Sequence, residues 1–492
     1  MQAVPQRTLQ LLAVRPVVIA ALVAAVAGDY LLRGGAPGAG AAVWIALGIL
    51  VVSLATPAAT RRERVLELLP ALVFACGLAL RDSETVQAWN ILGVLLWLVV
   101  PVLRHSGVRL AAARIGDFAV AAVRSGLAAA GGPLRVAAPP EPRPAPSGPA
   151  PRARPLVVGA ALALVILVVF GSLLRSADPA FDRFAGLLWR WDLSTALSHI
   201  AVIAFLTWVA SGYLSSLRGS VTPFALPRLF TLGRLEVALP LGALALLFLV
   251  FDIVQLRYVV EGAAVVRETL GLTFAEHARS GFFELVAASG LVLAVLLGAG
   301  STVDEADAVA TRAFRRLAAV VLLAAAPIPV SAFWRLGLYV RAYGLSEDRF
   351  YASAVMVWIV WCLVWLGISV LLGGRRFAAG AWVAGFVTLL LVNATDPDAL
   401  IARVNLDRAA RQGAELDAAY LARLSADAAP TLLAGGSGLD EATRCQVVAR
   451  WAGDAGDWRI WNLGRSRARR AARAAAECDA PAGAPVPDPT GT

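Results

Sequence analysis

The sequence predicts an all-α, polytopic transmembrane bundle of about eleven helices with a small C-terminal helical extramembrane domain. Three observations carry this. First, 59% of the 492 residues are hydrophobic and only 16% are charged, whereas a soluble domain carries about 25% charge. So much apolar surface needs lipid as its solvent. Second, apolar stretches long enough to cross a bilayer recur along most of the chain. Third, the arginines between those stretches alternate in density from loop to loop.

The predicted spans are 13–32, 41–57, 65–80, 86–103, 155–174, 196–216, 236–256, 282–300, 316–334, 352–373 and 377–393. Their flanks fall into two sets. One set is strongly basic: Arg7, then Arg61, Arg62 and Arg64, the segment after Arg104, Arg218, Arg228 and Arg234, then Arg312, Arg315 and Arg316, and finally Arg375 and Arg376. The other set mixes signs: Arg81 with Asp82 and Glu84, Asp178 and Asp182 with Arg183, Arg257 and Arg267 with Glu261 and Glu268. The positive-inside rule therefore puts the N-terminus in the cytoplasm and, with an odd helix count, the C-terminal tail outside a plasma membrane. Ala25-Val26-Ala27 fits a signal-peptide cleavage site, but the apolar run continues through Tyr30-Leu31-Leu32, so the first span is expected to remain as a helix.

This reading divides the chain into a four-helix membrane segment (1–106), a cytoplasmic amphipathic helix with a Pro- and Arg-rich linker (107–154), a seven-helix membrane core (155–393), an extracytoplasmic helical tail (394–480) and a disordered terminus (481–492). The +10 net charge raises the question of nucleic acid. Most arginines flank apolar runs, however, so their placement is a topology signal and nucleic acid is not an expected partner. The expected partners are membrane lipids and a protein bound through the tail. Arg465, Arg467, Arg469, Arg470 and Arg473 form a basic run on a tail helix, suited to a solvated face or to anionic headgroups.

Polar residues gather at three predicted outer positions. The end of span 236–256 carries Asp252, Arg257 and Tyr258. The entry to span 282–300 carries Glu276, Arg279 and Glu284, with Glu276 and Glu284 on one helical face. The loop after span 316–334 carries Tyr339 and Arg341. Two readings stand side by side: an outward pocket for a small polar ligand or proton, or an ion-pair network that closes the bundle end and docks the tail. Ala326-Pro327-Ile328-Pro329 should kink its helix. Trp358, Trp361 and Trp365 form a stripe suited to packing or lipid. Of four cysteines, Cys76 and Cys362 lie within spans, while Cys445 and Cys478 lie in the tail and can pair if it is outside. There is no Walker A loop, no HExxH, no CxxC and no GxSxG. The three histidines are scattered, so no metal, cofactor or catalytic residue is assigned.

The segments LLRSADPAFDRF (173–184), LGRLEVALPLGALALLFLVFDIVQLRY (232–258), LTFAEHARSGFFEL (272–285), LYVRAYGLSEDRFY (338–351) and NATDPDALIARVNLDRA (393–409) resemble an uncharacterised bacterial multi-pass membrane family, domain of unknown function 4153/4173. The resemblance spans roughly 155–430. It implies a polytopic membrane protein and supplies no catalytic residues. Its motif residues include Tyr258, Glu276, Arg279, Glu284, Tyr339 and Asp407. The function expected is a non-enzymatic envelope scaffold or signalling component, with a secondary transporter or lipid-handling carrier as the alternative.

Overall fold

A computed structural model describes residues 6–54, 58–137, 193–217, 232–270, 282–304, 307–372, 377–434, 438–454 and 456–475. Every regular element among them is helical. The apolar runs become α1 (Gln6–Leu32), α2 (Ala39–Leu54), α3 (Ala58–Leu80), α4 (Glu84–Trp97) and α5 (Val99–His105). After α6 (Ile115–Ala137) come α7 (Leu193–Ser215), α8 (Arg234–Leu270), α9 (Phe282–Thr302), α10 (Ala308–Ala325), α11 (Pro327–Tyr343), α12 (Glu347–Leu372) and α13 (Phe377–Thr395). The tail forms α14 (Pro397–Gln412), α15 (Ala418–Arg423), α16 (Ala429–Leu432), α17 (Glu441–Trp451) and α18 (Leu463–Ala474). Ten of the predicted spans coincide with described helices. Span 155–174, the linker 138–154 and the terminus 481–492 lie outside the described residues.

Seven helical stretches are long and apolar enough to cross a membrane, and α2 and Val17–Leu32 of α1 are shorter apolar helices. The chain is therefore a multi-pass α-helical membrane protein. Its membrane helices turn large apolar side chains outward, Leu323 being 75% exposed and Leu371 73%. That pattern suits a lipid solvent and would be unstable in water.

Two compact units can be separated. In the first, built from described residues of 6–33, 47–61 and 124–217, α1 packs along α7. Asp29 near the end of α1 is buried and accepts a 2.6 Å hydrogen bond from Arg33 Nε, while His199 Nδ1 lies against its other oxygen. Arg33 also donates to the Ser198 hydroxyl at 2.6 Å. The carboxylate one turn from the helix end is thus neutralised locally, as a low-dielectric site requires.

The second unit holds described residues of 34–46, 62–123 and 232–475. Its membrane core packs Leu241 and Phe248 of α8, Val292 and Leu296 of α9, Val321 of α10, Ala332 of α11 and Met356 of α12. The paired prolines act as expected. Helix α10 stops at Ala325, and Pro327 opens α11, where its missing N–H coincides with a position that has no intrahelical acceptor. Two members of the Trp stripe pack on α13: Trp358 donates to the Ala381 carbonyl at 3.2 Å, and the Trp365 indole covers Gly380, while Trp361 is exposed. Within this unit Arg104 Nε bonds Glu67 at 2.7 Å, joining α3 to the end of α5. Arg234 at the start of α8 pairs with Asp307 at the start of α10 at 2.9 Å.

The tail has a core of its own, built from Ile401, Leu421, Leu432, Val447 and Ala468 among others. Its helices carry side-chain caps. Asp417 accepts from Tyr420 N–H, Asp440 from Thr443 N–H and Asn462 from Arg465 N–H.

Close helix approach in the membrane part depends on Gly93, where a Cβ would fall 2.5 Å from the buried Phe74 ring, whereas a Cβ on Gly242 would meet open space. Gly93→Ala should therefore cost about 1–3 kcal/mol through overpacking, while Gly242→Ala should be neutral or slightly stabilising. Thermal melts of the detergent-solubilised protein check both.

Candidate functional site

Helices α3 and α4 are joined by only Arg81, Asp82 and Ser83. So short a connection leaves the last carbonyls of α3 and the first N–H groups of α4 without local partners. Ser83 occupies the N-cap position of α4 but makes no side-chain cap; its hydroxyl lies 3.2 Å from the Tyr351 hydroxyl.

The tail supplies what the turn lacks. Asp427 Oδ2 accepts from the backbone N–H of Asp82 at 2.7 Å and of Ser83 at 3.3 Å. In return, Asp82 Oδ2 accepts from the Ala426 N–H at 3.1 Å. Asn462, fully buried, donates to the carbonyls of Leu78 at 2.9 Å and Arg81 at 2.8 Å. Its Oδ1 meanwhile caps α18, so one side chain serves two helix ends. Gln87 adds a second donor to the Arg81 carbonyl at 2.9 Å. Arg465 reaches the Pro37 carbonyl at 2.6 Å and lies 3.4 Å from Asp82. Gly464 is required here, because a Cβ would lie 2.1 Å from Asp427 Oδ1.

The end of α13 enters the same seam. Arg81 donates to the Asn393 carbonyl at 2.7 Å and pairs with Asp396. Asp396 has φ 54° and is the only described non-glycine residue with positive φ, a conformation that aspartate tolerates better than most residues. Asn90 and Asn393 exchange two 2.9 Å amide hydrogen bonds over Gly77, where a Cβ would lie 2.5 Å from Asn90. Where α11 turns into α12, Asn405 of the tail accepts from Leu345 N–H at 3.0 Å and donates to its carbonyl at 2.7 Å. The Tyr420 hydroxyl accepts from Glu347 N–H at 3.0 Å.

This crowding sets the acidities. Burial, reinforced by the Asp396 charge, pushes the Asp427 carboxyl up to about 7. Burial also raises Asp398, whose Oδ2 accepts from Ser425 N–H at 3.2 Å. The Tyr420 phenol is pushed up to about 12 by burial, with the negative charge of Glu347 adding to it. Burial lowers Arg465, and the Asp82 charge opposes that shift.

The described residues among those singled out from the sequence lie outside this seam. Asp252 of α8 is half-buried, and its Oδ1 has no partner among the described residues. Glu284 is exposed on the first turn of α9. Tyr339 stacks under the Arg349 guanidinium at 3.9 Å and touches Tyr343, while Arg341 is exposed. Asp407 is exposed, lies 3.6 Å from Arg411 and lines a cleft of about 480 Å³ in the tail. Arg257 and Tyr258 fall on α8 beyond its described side chains, and Glu276 and Arg279 lie outside the described residues. Cys445 is disulfide-bonded; Cys478 lies outside the described residues. Among the described residues no three His, Cys, Asp or Glu side chains come together as metal ligands.

Sequence reasoning missed Arg335. It falls one residue past the predicted span 316–334, where it passes for a boundary charge. Helix α11 instead continues to Tyr343, leaving Arg335 half-buried, 3.3 Å from Gln255 and under the electrostatic influence of Glu284. It also missed Asp427 and Asn462, which look like ordinary polar residues of a soluble segment.

The profile of the family described as Domain of unknown function (DUF4153) matches residues 68–435. The chain belongs to this family. The DUF4153 region begins within α3, well before residue 155, and so takes in the turn at Arg81–Ser83. It also contains Asn393–Asp398 and Ser425–Asp427, whereas Asn462 and Arg465 lie beyond it. Neither curated proteins nor solved structures give a match to the chain.

Arg81→Ala would leave Asp396 part-buried without its counter-ion and should cost about 3 kcal/mol, seen as a lowered melting temperature. Because the pKa of Asp427 is raised on folding from 3.8 to about 7, the folded state holds a proton that the unfolded state releases. Its contribution is full below pH 4 and is lost as pH rises through about 7. Melting temperatures measured from pH 5 to 8 should fall, and Asp427→Asn should flatten that decline.

Proposed function

We propose that this DUF4153 protein is a non-enzymatic scaffold or signalling component of a bacterial plasma membrane, with its N-terminus in the cytoplasm and its helical tail outside. The observation that carries this reading is how the buried polar groups of the seam are used. Asp427 and Asn462 hold helix ends, and Arg81 holds Asp396. These groups fasten a soluble domain to a membrane bundle. A domain held this way offers a rigid platform, and a protein partner would bind its exposed surface. The proposed orientation follows from arginine density, which is high where α3 and α10 begin and low at the turn that meets the tail. An oxidising outer compartment also suits pairing of Cys445 with Cys478.

A carrier is the second reading. It is favoured by the buried Asp252 Oδ1, which has no partner among the described residues, and by Arg335, which sits inside a membrane stretch just after a proline break.

Reporter fusions separate outcomes for the first reading. Alkaline phosphatase at the C-terminus should be active and a fluorescent protein there dark. The reverse pattern would reject the outward tail. Arg335→Gln addresses the second reading. On the scaffold reading it lowers the melting temperature and leaves the phenotype of stable protein intact. A protein that stays folded yet loses function would favour the carrier.

A further inference from the structure

The last described segment of the tail has a face that the docking seam does not use. Asp457 opens a short turn, Trp458–Ile460, by accepting from the Arg459 N–H at 2.9 Å. Within and after this turn Trp458 is 52% exposed and Trp461 is 41% exposed, while Ile460 packs on Gly34 and Gly38. The Trp461 carbonyl accepts from the N–H of Ala39 at 2.8 Å. Ala39 is the first residue of α2, a helix whose sequence AGAAVWIALGILVVSL contains no charge. The turn that carries the two tryptophans therefore sits against the end of an apolar membrane helix, where tryptophan concentrates in bilayers.

Helix α18 follows directly. Gly464, Ala468 and Ala472 are buried, while Arg467, Arg470 and Arg473 are exposed at a spacing of three along one face. Arg473 lies 3.3 Å from Asp454. Among the described residues Arg467, Arg469 and Arg470 have no acidic partner. Guanidinium groups in such a row match phosphate oxygens in geometry and in charge.

We propose that Trp458, Trp461 and the Arg467–Arg470–Arg473 face of α18 form a binding surface for anionic phospholipid headgroups of the membrane the chain spans. The indoles enter the interfacial layer and the arginines pair with phosphodiesters. This requires only that the chain crosses a bilayer, and it holds for either orientation of the tail.

The test is amide hydrogen exchange on the full chain in nanodiscs of phosphatidylcholine alone or with about 30 mol% phosphatidylglycerol; residues 456–475 should exchange at least about threefold more slowly in the anionic discs. High salt should remove the protection. Arg467→Gln/Arg470→Gln/Arg473→Gln should abolish it while exchange at Ala426 and Ser83 stays as in the wild type, which shows that the tail remains docked. Equal exchange in both discs would overturn the proposal, as would lipid-dependent protection that survives in the triple variant. Protection reproduced by inorganic phosphate in phosphatidylcholine discs would also overturn it, assigning the arginines to a free anion.

Discussion

Two helices joined by three residues have few local groups with which to cap their own ends. The last carbonyls of α3 and the first amides of α4 are strong hydrogen-bonding groups, and leaving them orphaned where water is scarce is costly. In this protein a distant segment satisfies them. Asp427 takes the amides and Asn462 the carbonyls. Much of the seam follows from that requirement. Gly464 lets the Asp427 carboxyl approach, Asp82 returns a bond to the tail backbone, and Arg465 carries the contact on to Pro37. The membrane bundle is completed by a domain that looks soluble.

The same logic applies to two charges within the membrane helices. Asp29 is held by Arg33 and His199, and Arg335 by Gln255, so both of these groups have company close by. At the opposite end of the second unit Glu67 gathers Arg64 and Arg104. The arginines of that end thus brace α3 against the end of α5.

Most of the helical framework was legible in the sequence, because apolar length and charged breaks are properties of contiguous residues. The proline junction at Ala326–Pro327 and the packing role of Trp358 and Trp365 were legible for the same reason. The seam was not. Asn462 bonds a carbonyl 381 positions away, and nothing in its neighbourhood distinguishes it from a solvated asparagine. His199 was read only as one of three scattered histidines, because its partner Asp29 lies 170 residues earlier. Arg335 was hidden by a span boundary drawn one residue short. Each miss concerns a polar group whose meaning depends on a long-range neighbour, which hydropathy cannot register.

The order of synthesis adds a constraint to the α3–α4 turn. Its carbonyl caps arrive 381 residues after it, a delay of about 20–75 s at ordinary translation rates. Through that interval the nascent hairpin must keep its bare helix ends at the hydrated border of the bilayer. A chain truncated before Asn462 retains a hairpin whose Leu78 carbonyl lacks its side-chain donor. Such a hairpin is the kind of defect that membrane quality control can detect.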